Sequence, residues 1–284
     1  MTRAEHLIFC KKCKNRKFNP DKGIICGLTE KIADFKDECA DFLYDKDSQY
    51  IPKIKEAIKP NEQRAKWAEY LIWSMLGIGV ISLISSYFQY DLLLKVQEGF
   101  PVSDSQLEMN DIRVGIIALA YMVLYIISVI VFIRWFRRAY YNLNSRANAT
   151  YDEGWAAGGW FVPILCLFRP YRIMQELDDK MASLIEQHSL KPVQKSNVLI
   201  GFWWTIWILS GMIANFSFKI SMKATSLEEL INSTKFDMVN EAFDIPLAIL
   251  AVLVIRTVAK KEKRLIKVEE ESARKLALLN EKNI

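Results

Sequence analysis

Residues 114–133 read VGIIALAYMVLYIISVIVFI, twenty positions without one Asp, Glu, Lys or Arg. A helix rises about 1.5 Å per residue, so a run of this length crosses the roughly 30 Å hydrocarbon core of a bilayer. Two more charge-free runs, 71–88 and 198–218, weigh against the alternative of a buried core helix, because water-soluble folds rarely carry three such runs. A fourth run, 245–259, is shorter and holds Arg256, whose guanidinium would have to reach the interface along its own aliphatic stem. Trp67, Trp73, Tyr87, Tyr90 and Trp135 fall near the ends of the runs, as interfacial anchors do. The expected fold is an all-α polytopic membrane protein with four transmembrane helices plus one re-entrant or interfacial segment, and a small N-terminal four-cysteine module.

Loop charge sets the orientation. Lys53, Lys55, Lys59, Arg64 and Lys66 precede the first run, whereas 90–112 holds only Lys95 beside five acids. An excess of Lys and Arg marks the cytoplasmic side, so the N-terminus is expected inside. Arg134, Arg137, Arg138 and Arg146 follow the second run, again inside. The run 154–168 is broken by Pro163 and followed by Arg169 and Pro170. If it crossed, Arg169, Arg172, Lys180, Lys191 and Lys195 would lie outside, so a dip and return is expected. That leaves 217–244 as an outer loop and places Lys260, Lys261, Lys263 and Arg264 inside. The chain then divides into a cytoplasmic cysteine module (1–50), a basic linker (51–66), a membrane domain (67–259) and a charged helical cytoplasmic tail (260–284). The first long apolar run begins only near residue 67, so no secretory signal peptide is expected. The net charge of +5 is spread beside apolar runs instead of forming one surface, which argues for a lipid partner and against nucleic acid.

Cys10, Cys13, Cys26 and Cys39 form the strongest chemical constellation. Four thiolates close a tetrahedral zinc site, and Cys10 and Cys13 have the C-x2-C spacing of a two-ligand knuckle. Zinc is the expected cofactor. Two disulfides are the alternative, which a cytoplasmic placement disfavours, and plain thiols are the third reading. HExxH, GxSxG and GxxxxGK[ST] are absent, and His6 and His188 are the only histidines, so the sequence leans away from an enzyme. Cys166 reads as a small packed residue.

Between the spans, 134–145 is amphipathic and expected near the lipid headgroups. Met174, Leu177, Met181, Leu184 and His188 recur at helical spacing in 170–190, a helix whose stripe meets either lipid or the protein's own bundle. Gly154 and Gly158 have small-xxx-small spacing, so Gly158 is expected at a close backbone contact.

The stretch Gly154-Trp155-Ala156-Ala157-Gly158-Gly159-Trp160-Phe161-Val162-Pro163, followed by Arg169-Pro170-Tyr171-Arg172-Ile173-Met174, resembles the signature of a bacterial membrane family, domain of unknown function 4328. The resemblance implies a bacterial multi-span protein, hence the inner membrane, and supplies no reaction. The leading expectation is a non-enzymatic membrane protein whose cytoplasmic zinc module, or tail, meets a protein partner as an interaction or regulatory element. The runner-up is a small-solute channel or carrier with Asp152, Glu153, Arg169 and Asn215 on its polar pathway. The three best spans hold no ionisable residue, which weighs against a carrier. A membrane-embedded enzyme ranks third.

The loop charges make a direct prediction. Accessibility labelling at residues 105 and 230 should report the outside, and labelling at 60, 150, 180 and 280 the inside. External labelling at 180 would require five spans.

Overall fold

The computed structural model describes residues 3–10, 13–19, 23–45, 58–189 and 192–282. It divides into two compact units, Met1–Glu56 and Ala57–Ile284. Of the expected linker, 51–57 lies outside the described residues.

The first unit is not purely helical. Helix α1 (Arg3–Cys10) precedes an antiparallel hairpin of β1 (Arg16–Asn19) and β2 (Gly23–Cys26), in which Arg16 faces Cys26 and Asn19 faces Gly23. Ile24 and Ile25 suit a pleated strand, and Ile25 is buried. Phe9 meets the ring edges of Phe35 and Phe42, and His6 Nε2 lies 2.6 Å from the Phe35 carbonyl oxygen. The histidine is thus a packed, bonded residue.

In the second unit, α2 (Glu62–Gln97), α3 (Asp104–Asn144), α6 (Asn197–Ser221) and α7 (Leu227–Lys282) are four helices long and apolar enough to cross a membrane. The protein is a multi-pass membrane protein. A capping box starts α3, where Ser103 Oγ accepts the Gln106 N–H and the Gln106 side chain returns a bond to Ser103 N. Ser226 and Glu229 exchange the same pair of bonds at the start of α7.

Helix α7 corrects the sequence expectation. The supposed outer loop 217–244 shrinks to a short turn, because α6 runs to Ser221 and α7 begins at Leu227. Requiring a charge-free run rejects Asp237, Glu241 and Asp244, yet their spacing places all three on one helix face. Pro246 lies inside α7. Further along, Arg256 does not rely on snorkelling alone: its Nε donates to Glu69 of α2 at 2.8 Å.

The tightly packed core lies at the end of the bundle where α2 begins. Trp135, Phe136, Ala139, Tyr140 and Leu143 of α3 are fully buried against Ile173, Met174 and Leu177 of α5 (Arg169–Ser189), Trp203 and Trp204 of α6, and Val254, Ile255 and Val258 of α7. Trp135 is therefore a core residue and not an interfacial anchor, whereas Trp67, Trp73 and Tyr87 are exposed as expected. The stretch 134–145 is amphipathic, but its apolar side meets protein. α5 covers it, so the α5 stripe packs inside the bundle.

Polar locks surround this core. Lys261 of α7 donates to Asp178 of α5, both nearly inaccessible, and Asp178 also accepts the Ser196 N–H at 2.7 Å. Buried Glu262 accepts from Asn61 and Asn142, while Asn142 exchanges bonds of 2.9–3.0 Å with the Lys59 backbone. A buried ion pair of this kind costs about 3–5 kcal/mol when one partner is removed, because the other charge is left uncompensated.

The segment 154–168 forms no spanning helix. It holds the single turn α4 (Trp155–Gly158) and a 3-10 turn, Leu165–Leu167. Gly158 does not make the expected close contact, since a Cβ there would meet nothing within 4 Å. Gly159 does: a Cβ would lie 2.8 Å from the Trp155 carbonyl oxygen and 3.0 Å from Arg169 Cγ. Gly159→Ala should cost about 1–3 kcal/mol, as other overpacked positions do, while Gly158→Ala should leave the thermal midpoint in detergent nearly unchanged. Equal midpoints for the two variants would refute the crowding argument.

Candidate functional site

Asp237, Glu241 and Asp244 extend along one side of α7, and each meets hydroxyls from other spans. Ser217 of α6 donates to Asp237, and Ser82 of α2 donates to Glu241. Ser86 lies 3.3 Å from the same Glu241 oxygen. Asp244 accepts Ser210 of α6 at 2.9 Å and the Tyr121 hydroxyl of α3 at 3.1 Å. Every helix of the four-span bundle thus contributes to one polar line. Ser82, Tyr121 and Ser210 all lie inside the charge-free runs, so Glu241 and Asp244 are at membrane depth.

Among the described residues, all the hydrogen bonds these carboxyls accept come from hydroxyls, and none of the three forms an ion pair. Glu241 Oε2 and the neighbouring Asn240 Oδ1 are buried without a hydrogen-bond partner among the described residues. Acids are absent from the charge-free windows by definition, so this line does not show in a span-by-span reading of the sequence. The signal for it in the sequence is the Asp237, Glu241, Asp244 spacing set against serines in two other apolar runs and a tyrosine in the third.

The residues expected on a polar pathway lie elsewhere. Asp152 is exposed, and Glu153 pairs with Arg137 at 3.4 Å. Arg169 lies over the rings of Tyr151 and Trp155, 4.4 and 4.8 Å from their centroids. Asn215 is exposed on α6. No hydrogen bond or ion pair among the described residues joins one of these four to another.

The glycine- and tryptophan-rich stretch has a packing logic. Trp160 contacts Phe132, Trp204 and Trp207 with centroids 5.6–5.8 Å apart, and Tyr171 stacks on Trp204. Trp204 Nε1 donates to the Leu167 carbonyl at 2.9 Å. Glu176 secures the preceding loop by accepting from Tyr140, and from Thr150 N and Oγ1, all at 2.7 Å. Burial pushes the Glu176 carboxyl up, but the bonds from Lys180, Thr150 and Tyr140 outweigh it and hold the group below the ordinary carboxylate range.

In the N-terminal unit, Cys10, Cys13, Cys26 and Cys39 line a single cavity together with Phe9, Ile25 and Phe42. All four are free thiols. Burial pushes the Cys10 thiol up, and Cys39, Cys13 and Cys26 nearby push it further. Backbone N–H groups of Thr29 and Leu28 draw the Cys26 thiol down against its burial. As they stand, no three His, Cys, Asp or Glu side chains among the described residues form a group able to hold a metal ion. Cys166 is a partly buried free thiol in the other unit.

A family model described as a domain of unknown function, DUF4328, matches residues 99–260, more than half of the 284-residue chain. The chain belongs to the DUF4328 family. The DUF4328 match covers α3, α4, α5, α6 and most of the spanning part of α7, and so includes both the tryptophan-rich stretch and the α7 carboxyls. No curated protein and no solved structure matches this DUF4328 chain.

Proposed function

We propose that the membrane unit handles a proton or a small cation at the α7 carboxyls, which places the protein with channels and carriers. One observation carries this reading: three carboxyls on one face of a spanning helix, bonded among the described residues only by hydroxyls. A bare carboxylate in hydrocarbon costs several kcal/mol, and hydroxyl donors do not neutralise it. Each group must therefore take up a proton or share a cation. Serine and tyrosine hydroxyls both donate and accept, so they can serve a carboxyl in either state. Asp237 to Asp244 covers about 10 Å of helix axis, from the α6–α7 turn towards the middle of the spans.

The loop charges orient this unit with the packed core, both termini and the basic stretch 169–197 on the cytoplasmic side, the bacterial inner membrane being the expected location. The segment 154–168 then returns to the side it came from. Proteoliposomes holding the full chain should dissipate an imposed pH or alkali-cation gradient faster than protein-free vesicles. Asp244→Asn, which keeps a hydrogen-bonding group for Ser210 and Tyr121, should slow that dissipation severalfold. If wild-type vesicles hold H+, Na+ and K+ gradients as well as empty ones do, the reading fails.

A second reading concerns the N-terminal unit and is compatible with the first: a zinc-binding interaction or regulatory module. It is supported by the convergence of four free thiols on one cavity in a unit with very few buried apolar residues, the kind of small fold that a metal completes. Binding would draw the thiolates together. Protein purified under reducing conditions should carry about one zinc per chain, lose it as the pH falls because the ligands must be deprotonated, and lose it in Cys13→Ser but not Cys166→Ser. Zinc far below one per chain in the wild type would exclude the reading.

A further inference from the structure

The stretch 161–172 combines features that the DUF4328 assignment does not explain. Phe161 is 72% exposed and Ile164 73%, with Val162 and Leu167 also open, which is an unfavourable display for water. The backbone holds this display under strain. Ile164 has φ +67° and ψ −49°, and the Leu165 N–H donates across it to the Pro163 carbonyl at 2.8 Å. This is a γ-turn of the rare hand, centred on a β-branched residue that disfavours positive φ.

The position of the tip says what covers it. Trp160 packs on Trp204 and Trp207, and Leu167 accepts from Trp204, so 160–167 lies against the charge-free run of α6. That same helix exposes Val198, Phe202 and Leu209, apolar residues of the kind a span presents to lipid. Immediately after it come two arginines. Arg172 is exposed. Arg169 makes no ion pair among the described residues, its Nε is buried without a hydrogen-bond partner, and Gly159 leaves the room its side chain occupies. An apolar tip followed by two guanidinium groups that lie over aromatic rings and have no carboxylate partner among the described residues matches an anionic phospholipid in both of its parts, acyl chain and headgroup phosphate.

We propose that 161–172 is an anionic-phospholipid site, with Phe161, Val162, Ile164 and Leu167 among the acyl chains and Arg169 and Arg172 at the phosphate. The proposal rests on the membrane assignment and is independent of any proton or cation movement.

The test is native mass spectrometry of the full chain released from nanodiscs containing phosphatidylcholine and phosphatidylglycerol. Wild-type protein should retain phosphatidylglycerol preferentially. Arg172→Gln, a change at an exposed side chain that leaves the Trp160, Trp204 and Trp207 packing alone, should reduce that preference about fivefold, and Arg169→Gln should reduce it by a similar factor. Ile164→Ser should weaken retention of both lipids, whereas Lys263→Gln, on the exposed side of α7, should alter neither. Equal retention of the two lipids by wild type, or a phosphatidylglycerol preference unchanged in Arg172→Gln, would overturn the proposal. A gradient left intact in the proteoliposome assay would not affect it.

Discussion

An apolar helix surrounded by lipid gains nothing from the hydrophobic effect by moving against another apolar helix, because lipid tails are as apolar as leucine. The four spans of this protein need some other source of cohesion, and the structure supplies it at one end. There the α3 aromatic face, the buried side of α5 and the α7 valines form an interior of the water-soluble kind, enclosed by the Asp178–Lys261 pair and the Asn61, Asn142 and Glu262 bonds. Away from that anchored end many large apolar side chains of the spans are exposed. The long extensions of α3 and α7 beyond the hydrocarbon are what bring the fastening residues together.

The same constraint explains why the opposite half of the bundle is polar inside. Small hydroxyl residues allow spans to approach, and hydrogen bonds between helices replace the missing hydrophobic gain. Serines at 82, 210 and 217 and Tyr121 do this through the α7 carboxyls. The bonds that hold α7 to its neighbours are therefore made by the same carboxyls at which proton or cation handling is proposed.

The spans themselves were legible in the sequence because their signal is a simple one: length without charge. The first half of α7 was illegible for the same reason, since acids that face inward count against a span in a one-dimensional reading. Trp135 illustrates a related limit. A tryptophan at the end of an apolar run looks like an interfacial anchor until a later helix, α5, is known to cover it. Gly158 and Gly159 differ by one position, and the placement of the Trp155 carbonyl and of Arg169 decides which of them is crowded. The four cysteines were visible as a set, and their approach to one cavity depends on a hairpin whose four-residue strands are too short to give a clear alternating pattern.

Helix α7, with 56 residues, measures about 84 Å if straight. Its lower portion is fastened at Lys261 and Glu262, while its upper portion bears the carboxyls, and Pro246 stands between them, two residues past Asp244. Proline has no N–H for the carbonyl four residues earlier and crowds it, so the helix is weakest to bending at this point. The geometry is that of a lever with a fixed arm, a fulcrum and a second arm about 28 Å long from Pro246 to Leu227, held by the hydroxyl bonds from the other spans. A change of roughly 10° at the fulcrum carries the α6–α7 turn through about 5 Å, so a local rearrangement around Asp244 is enlarged at the far surface of the membrane.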